Sequence, residues 1–231
     1  IPGFRAGDHL ELAWTLKGTN PLFRDLPWTF DNWNMPFPIW RRHAAYLAPE
    51  KAPVRVRFLP HTAIEESRVG RVKRTDKTRN GWVSIEYSDT HLPALSFQPH
   101  AAQGSLQSDL LIATGFRDWD AVSAWAGRLF DEVEKPKGDD YLKLVEELAK
   151  YAPPAERIAA ALQWVLREIR YVSLSIGENS HRPYSPDEVL ARRYGDCKDT
   201  ALLLVNLLRS LGIEAQPALM NTLNSRLVRQ L

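Results

Sequence analysis

The sequence lacks most of the features that would place it quickly. Of 231 residues only Cys197 is a cysteine, which excludes an internal disulfide and any cysteine-rich zinc site while leaving reducing and oxidising compartments both open. No apolar run approaches the roughly 18 to 20 residues that cross a bilayer, and no basic-then-apolar leader is present, so no transmembrane segment is expected in this chain. The chain starts without a methionine, at Ile1-Pro2-Gly3, as a mature, trimmed or excised product would. A formal net charge of +2 and the lack of a basic arm argue against a nucleic-acid partner. His43, His61, His91 and His100 are scattered without ligand-like spacing, and no cofactor, metal or organic, is called for. After Asp199 there is neither a histidine nor an aspartate.

What is present suits a soluble globular protein. At 44% hydrophobic and 25% charged residues, the chain can bury one large core or two modest ones. The fold class expected is α+β, with an antiparallel β-sandwich over residues 1–115, a helical connector over 116–150 and a helix-rich part over 151–231. Leu10, Leu12, Trp14 and Leu16 alternate with polar or small residues, as do Val54, Val56 and Phe58, and Val83, Ile85 and Tyr87; each run predicts a strand with one buried face. Asn80-Gly81, preceded by the charged run Arg71–Arg79, predicts a solvent-exposed hairpin. Prolines at 21, 27, 36, 38, 49, 53, 60, 93 and 99 predict strands that are short or at sheet edges. Trp14, Phe23, Trp28, Phe30, Trp33, Phe37 and Trp40 crowd this half. Core and inter-sheet packing is the first reading of these rings, and a carbohydrate-binding face the second.

Near residue 115 the pattern turns helical. Asp118 can cap a helix carrying Val122, Trp125, Ala126, Leu129, Phe130 and Val133, ended by Pro136-Lys137-Gly138. A second helix places Tyr141, Leu144, Val145 and Leu148 on one face, and a third, after Pro153-Pro154, places Ile158, Leu162, Val165, Leu166 and Ile169 on its apolar stripe. Residues 171–177 read as a strand or an extended loop, and Val189–Arg193 as a short helix.

The run Tyr194-Gly195-Asp196-Cys197-Lys198-Asp199-Thr200 then opens an apolar helix that Gly212 closes. Asp196 is placed to cap it, Asp199 sits where a capping-box acid would, and Gly195 gives the tight turn before the cap. Cys197 becomes the first helical residue, where free amides, the helix dipole and the nearby Lys198, Arg192 and Arg193 favour a thiolate. A lone cysteine is also commonly a small buried hydrophobe. A Gly-Asp-Cys turn feeding a helix is nevertheless where acyl-transfer enzymes carry a nucleophile. Tyr171 is then either an oxyanion donor beside the Cys197 N–H or a packing residue, and His181 either a general base folded back to the sulfur or a structural histidine.

Tyr194 to Leu204, with Leu207 to Ala215 after it, resembles the active-site segment of the transglutaminase-like superfamily. Glu168 to Tyr171, Gly177 to Pro183 and Pro186 to Arg193 resemble the lead-in to that cysteine, and Ile1 to Glu11 with Phe116 to Trp119 resembles a β-rich module that precedes such domains in bacteria. The resemblance implies a papain-like Cys-His-Asp site that attacks peptide amides through an acyl-thioester on Cys197, as an acyltransferase or peptidase in the periplasm or cell envelope. It also implies that the histidine and aspartate follow the cysteine. This chain supplies neither, so it is expected to be an incomplete, inactive portion, cut before its sheet is finished. Ile213 to Met220 is expected to be the first strand of that sheet, and Asn221 to Leu231 a frayed tail. The helix face at Leu202, Val205, Leu208 and Leu211 should then be partly uncovered, favouring self-association. The alternative is a non-catalytic binding or scaffold module for envelope protein or glycan.

Overall fold

The computed structural model describes residues 3, 5, 7–23, 26–60, 72–95, 108–173 and 175–220. Arg71, His61, Pro99, His100 and the segment 221–231 lie outside the described residues.

The first half is antiparallel β-structure. Strands β1 (Trp28–Asn32), β2 (Ile39–Pro49), β3 (Arg55–Leu59), β4 (Lys73–Arg79), β5 (Trp82–Leu92) and β6 (Leu110–Thr114) form two three-stranded sheets, ordered β1-β6-β3 and β2-β5-β4. One apolar cluster joins them: Trp33, Val56, Leu111 and Ala113 from the first sheet and its flank meet Tyr87 and Leu92 from the second. The β4–β5 hairpin turns through Asn80 and Gly81 at φ 53° and 76°, the pair of left-handed residues whose twist matches that of the strands. All of β4 is exposed, as its charges require.

Several sequence expectations fail here for identifiable reasons. The alternation at Leu10–Leu16 forms no strand, and Leu12, Trp14 and Leu16 are 67%, 78% and 91% exposed. Alternation becomes a strand only beside a neighbouring ladder, and no described strand pairs with this segment. Strand β2 runs 11 residues at a sheet edge, as the prolines allow, whereas β5 runs 11 residues at the centre of its sheet, because Pro93 follows it rather than interrupting it. Among the crowded aromatics only Trp33 is fully enclosed; Trp14, Trp28, Phe30, Phe37 and Trp40 are exposed. The rings of Trp28 and Phe30 are adjacent but inclined at 56°, which makes no flat platform.

The second half is helical. Helices α1 (Trp119–Asp131), α2 (Asp139–Leu148), α3 (Pro154–Glu168), α4 (Pro186–Arg192) and α5 (Cys197–Ser210) accompany a parallel pair of two-residue strands, β7 (Arg170–Tyr171) and β8 (Tyr194–Gly195). Asp118 caps α1 by accepting from the Ala121 N–H at 2.8 Å. Ser185 and Glu188 cap α4 reciprocally, with Pro186 at its first position, a start signal that moves the helix upstream of Val189. One core gathers Tyr141, Leu144 and Leu148 of α2, Ala161 and Val165 of α3, and Leu203 and Leu207 of α5. A smaller cluster of Phe116, Trp125, Ala126 and Leu129 receives Leu22, Phe23 and Leu26 from the β-rich half.

Of the expected α3 stripe Val165 and Ile169 are buried, with Ala161 beside them, whereas Ile158, Leu162 and Leu166 are 41%, 42% and 72% exposed. Small Ala161 lets the helix approach α5, and that contact sets the rotation. Leu202, Val205 and Leu211 are 5%, 7% and 6% exposed and Leu208 is half-buried, so the face expected to be partly uncovered is mostly covered. Residues 213–220 follow the helix without forming a strand, since no described strand lies beside them to pair with.

Candidate active site

The parallel β7–β8 pair sets Tyr171 opposite Gly195, two residues before the cysteine. Helix α4 ends at Arg193, whose left-handed φ of 58° turns the chain into β8. The left-handed residue is therefore Arg193 rather than Gly195. Gly195 is needed for proximity: a Cβ there would come 2.8 Å from Cβ of Asp199 and 3.1 Å from its Oδ2.

Helix α5 begins at Cys197, as the sequence predicted, and the thiol is exposed. Asp196 accepts from the Lys198 N–H at 3.2 Å and the Asp199 N–H at 3.4 Å, while Asp199 Oδ2 accepts from the Asp196 N–H at 3.1 Å. This is a complete capping box. Asp199 does more than cap. At 2% exposure its Oδ1 also accepts from the Tyr184 N–H at 3.0 Å and its Oδ2 from Arg192 Nη2 at 3.0 Å. Arg192 in turn donates through Nε to the Tyr194 carbonyl at 2.8 Å and lies 3.8 Å over the Tyr184 ring. Lys198 pairs with Asp196 and stands 3.9 Å from Asp199. Arg193 covers the Trp164 ring at 5.3 Å. The three cations expected to face the thiol are thus engaged by carboxylates or a ring.

Tyr171 is 64% exposed, which removes its packing reading. Its phenol is held above the usual tyrosine range, first by negative charge on Cys197, then by partial desolvation and by Asp196, and both the sulfur and the backbone N–H of Cys197 interact with its hydroxyl. The β7–β8 register and these influences together place the Tyr171 hydroxyl beside the start of α5.

His181 is occupied elsewhere. Its Nδ1 lies 2.7 Å from Ser180 Oγ, and its ring meets Phe23 edge-on at 5.0 Å and Trp125 at 5.6 Å. Burial and the charge of Lys198 both lower its pKa. The Arg192–Asp199–Tyr184 linkage and the contacts of Ser180 and His181 were absent from the sequence reading. The Ser185-Pro186-Asp187-Glu188 start signal was the one local clue to how α4 aims Arg192.

Residues 142–227 match the family model of the transglutaminase-like superfamily. The chain carries a transglutaminase-like domain. Comparison with curated proteins finds no match. The chain is also similar to a solved structure from Parabacteroides distasonis ATCC 8503, named there as a candidate protease, with 17% identity and a TM-score of 0.65 over 81% of this chain. That likeness is one of fold, and the chain spans 35% of the length of that structure. Among the described residues there is no cluster of three or more His, Cys, Asp or Glu side chains that could hold a metal, and no helix is long and apolar enough to cross a membrane.

Proposed function

We propose that Cys197 is the nucleophile of an acyl transfer on peptide amides. The observation that carries this is the exposed sulfur at the first residue of a doubly capped helix, with the Tyr171 hydroxyl beside it. The thiolate attacks the amide carbonyl, and the oxyanion that forms takes hydrogen bonds from the Cys197 N–H and the Tyr171 hydroxyl. Collapse of the tetrahedral species expels the amine, which must gain a proton as it leaves, and the acyl-thioester is then cleaved by water or by a second amine. Asp196 and Asp199 keep the helix start in place, and Gly195 lets Asp199 approach it.

No residue here is assigned to the leaving-group proton. No histidine follows Cys197, and His181 is held by Ser180, Phe23 and Trp125. By itself this chain should therefore accept an acyl group from an activated ester, whose leaving group departs without protonation, but should not turn over an amide. Mixing with 4-nitrophenyl acetate should release a burst of one equivalent of 4-nitrophenol and leave an acetyl group on Cys197, seen by mass spectrometry. Cys197→Ala should abolish the burst and keep the fold. Iodoacetamide should label the native thiol readily. Labelling only after unfolding, with no burst, would overturn the proposal in favour of a scaffold module.

A further inference from the structure

The β-rich half reaches into the neighbourhood of the proposed nucleophile through one short segment. Asn20 donates through Nδ2 to the Gly177 carbonyl at 2.9 Å and to Ser180 Oγ at 2.7 Å, across 157 and 160 residues of sequence. Its Oδ1 accepts from the Leu22 N–H at 3.1 Å, so the amide is oriented by all of its partners; turned over, it would set oxygen against the Gly177 carbonyl. Phe23 stacks on Trp125 at 5.0 Å and meets the edge of His181 at the same distance. Trp125 donates through Nε1 to the Leu22 carbonyl at 3.1 Å. The segment is thereby fixed to α1 on one side and to the Gly177–Ser180 turn on the other.

That turn belongs to the stretch framing Cys197. Leaving β7, the Val172 N–H donates to the Gly195 carbonyl at 2.9 Å, and at the far end the Tyr184 N–H donates to Asp199. The chain thus departs beside the residue two before the cysteine and returns to the residue two after it. Within this arch His181 is close enough to Lys198 for that charge to act on it.

We infer that Asn20 and Phe23 are positioning residues of the Cys197 site: the β-rich half holds the Gly177–His181 turn as a wall against which a peptide substrate is aligned. The alignment rests on the acyl-transfer reading of Cys197; the holding of the turn does not. Among the described residues the hydrogen bonds of Asn20 and the ring contacts of Phe23 reach the turn and α1 rather than Cys197 or Tyr171, and they act through the turn.

The test uses the chain as it is, with two thiol reagents and amide hydrogen exchange. Removing the two Asn20 hydrogen bonds in Asn20→Ala should speed exchange at the His181 and Arg182 amides, both of which donate to Glu178, by about 5- to 30-fold. Exchange in α3 and α5 should be unchanged. Alkylation of Cys197 by a benzyloxycarbonyl-dipeptidyl chloromethyl ketone should slow several-fold while iodoacetamide, too small to need the wall, reacts at its original rate. Ser180→Ala should give a smaller effect in the same sense, and the double variant should be less than additive. Unchanged exchange at the turn overturns the inference. So does faster exchange with no change towards the peptidyl reagent, or equal slowing of both reagents, which would mean a general disturbance of the thiol. Should native Cys197 resist both reagents, the acyl-transfer reading fails, and the exchange result alone decides whether the β-rich half holds the turn.

Discussion

Replacing Asp199 by asparagine should destabilise the protein by about 2–4 kcal/mol, although the substitution changes neither shape nor volume. The carboxylate accepts from three donors, the Asp196 and Tyr184 amides and Arg192 Nη2, at 3.1, 3.0 and 3.0 Å. An amide side chain has one oxygen. Placed to keep Asp196 and Arg192, that oxygen leaves the NH2 group facing the Tyr184 N–H, donor against donor, in a site only 2% exposed. A buried donor left unpaired costs roughly 1–3 kcal/mol, and loss of the charge on the Arg192 bond adds about 1 kcal/mol. Arg192 is not stranded, since the Tyr194 carbonyl and the Tyr184 ring still hold it, which keeps the sum below the roughly 3–5 kcal/mol of a broken buried pair. For a chain of this length the loss corresponds to roughly 5–15 °C in a thermal melt followed by circular dichroism. The same variant should alter the rate of Cys197 acylation, because the amide it frees belongs to the chain on one side of the helix start. A shift within about 0.5 kcal/mol, the range of ordinary surface changes, would refute the role of Asp199 as the point where α4, β8 and α5 are joined.

Tyr171→Phe should slow the 4-nitrophenol burst by about 100-fold if the hydroxyl is one of two oxyanion donors, with iodoacetamide labelling unchanged; a burst of wild-type rate removes Tyr171 from the reaction. His181 has its pKa depressed below 6.5 by burial and Lys198, so its contribution to stability is complete above that value and is lost as pH falls through the lower folded-state value. Urea midpoints at pH 7.5 and 5.5 should accordingly differ less in His181→Phe than in the wild type, and an equal difference would contradict the assignment. Gly195→Ala should cost roughly 1–3 kcal/mol, because the new methyl meets Cβ of Asp199 at 2.8 Å and not the end of a flexible chain; a melt within a degree of wild type would show that β8 can yield.

Local sequence made the helices and two of the strands legible. The caps of α1 and α5 and the Asn80-Gly81 hairpin each depend on residues within a few positions of one another, and all three appear as expected. The strand expected at Leu10–Leu16 had the right alternation and no neighbour. Strand β1 has a neighbour in β6, 78 positions or more away, and showed no pattern of its own. The face of α3 was readable only in part: Val165 and Ile169 of the expected stripe are buried, but apolar residues lie around much of the helix and the approach to α5 adds Ala161 while leaving Ile158, Leu162 and Leu166 outside. A strand, or the rotation of a helix with more than one apolar face, is decided by its partner.

The same distinction divides the site. Cys197, Asp196, Asp199 and Gly195 lie within five consecutive residues, and the helix they begin fixes their relation before any tertiary contact forms. Tyr171 was legible only as a residue type of use to the chemistry; its placement needs the β7–β8 pairing, which no periodicity announces in two-residue strands. Arg192 was expected to act on the thiol by charge alone, but the left-handed turn at Arg193 swings the helix end so that Arg192 meets the carboxylate of Asp199 instead. Asn20 carried no signal at all, since its partners are 157 and 160 residues distant and a single asparagine after a Gly-Thr pair looks like any other loop residue. The proposed nucleophile is thus specified by adjacent residues, whereas the turn proposed to align a substrate beside it is held from both halves of the chain. Sequence likeness concentrated at the cysteine therefore carries the chemistry further than it carries the specificity.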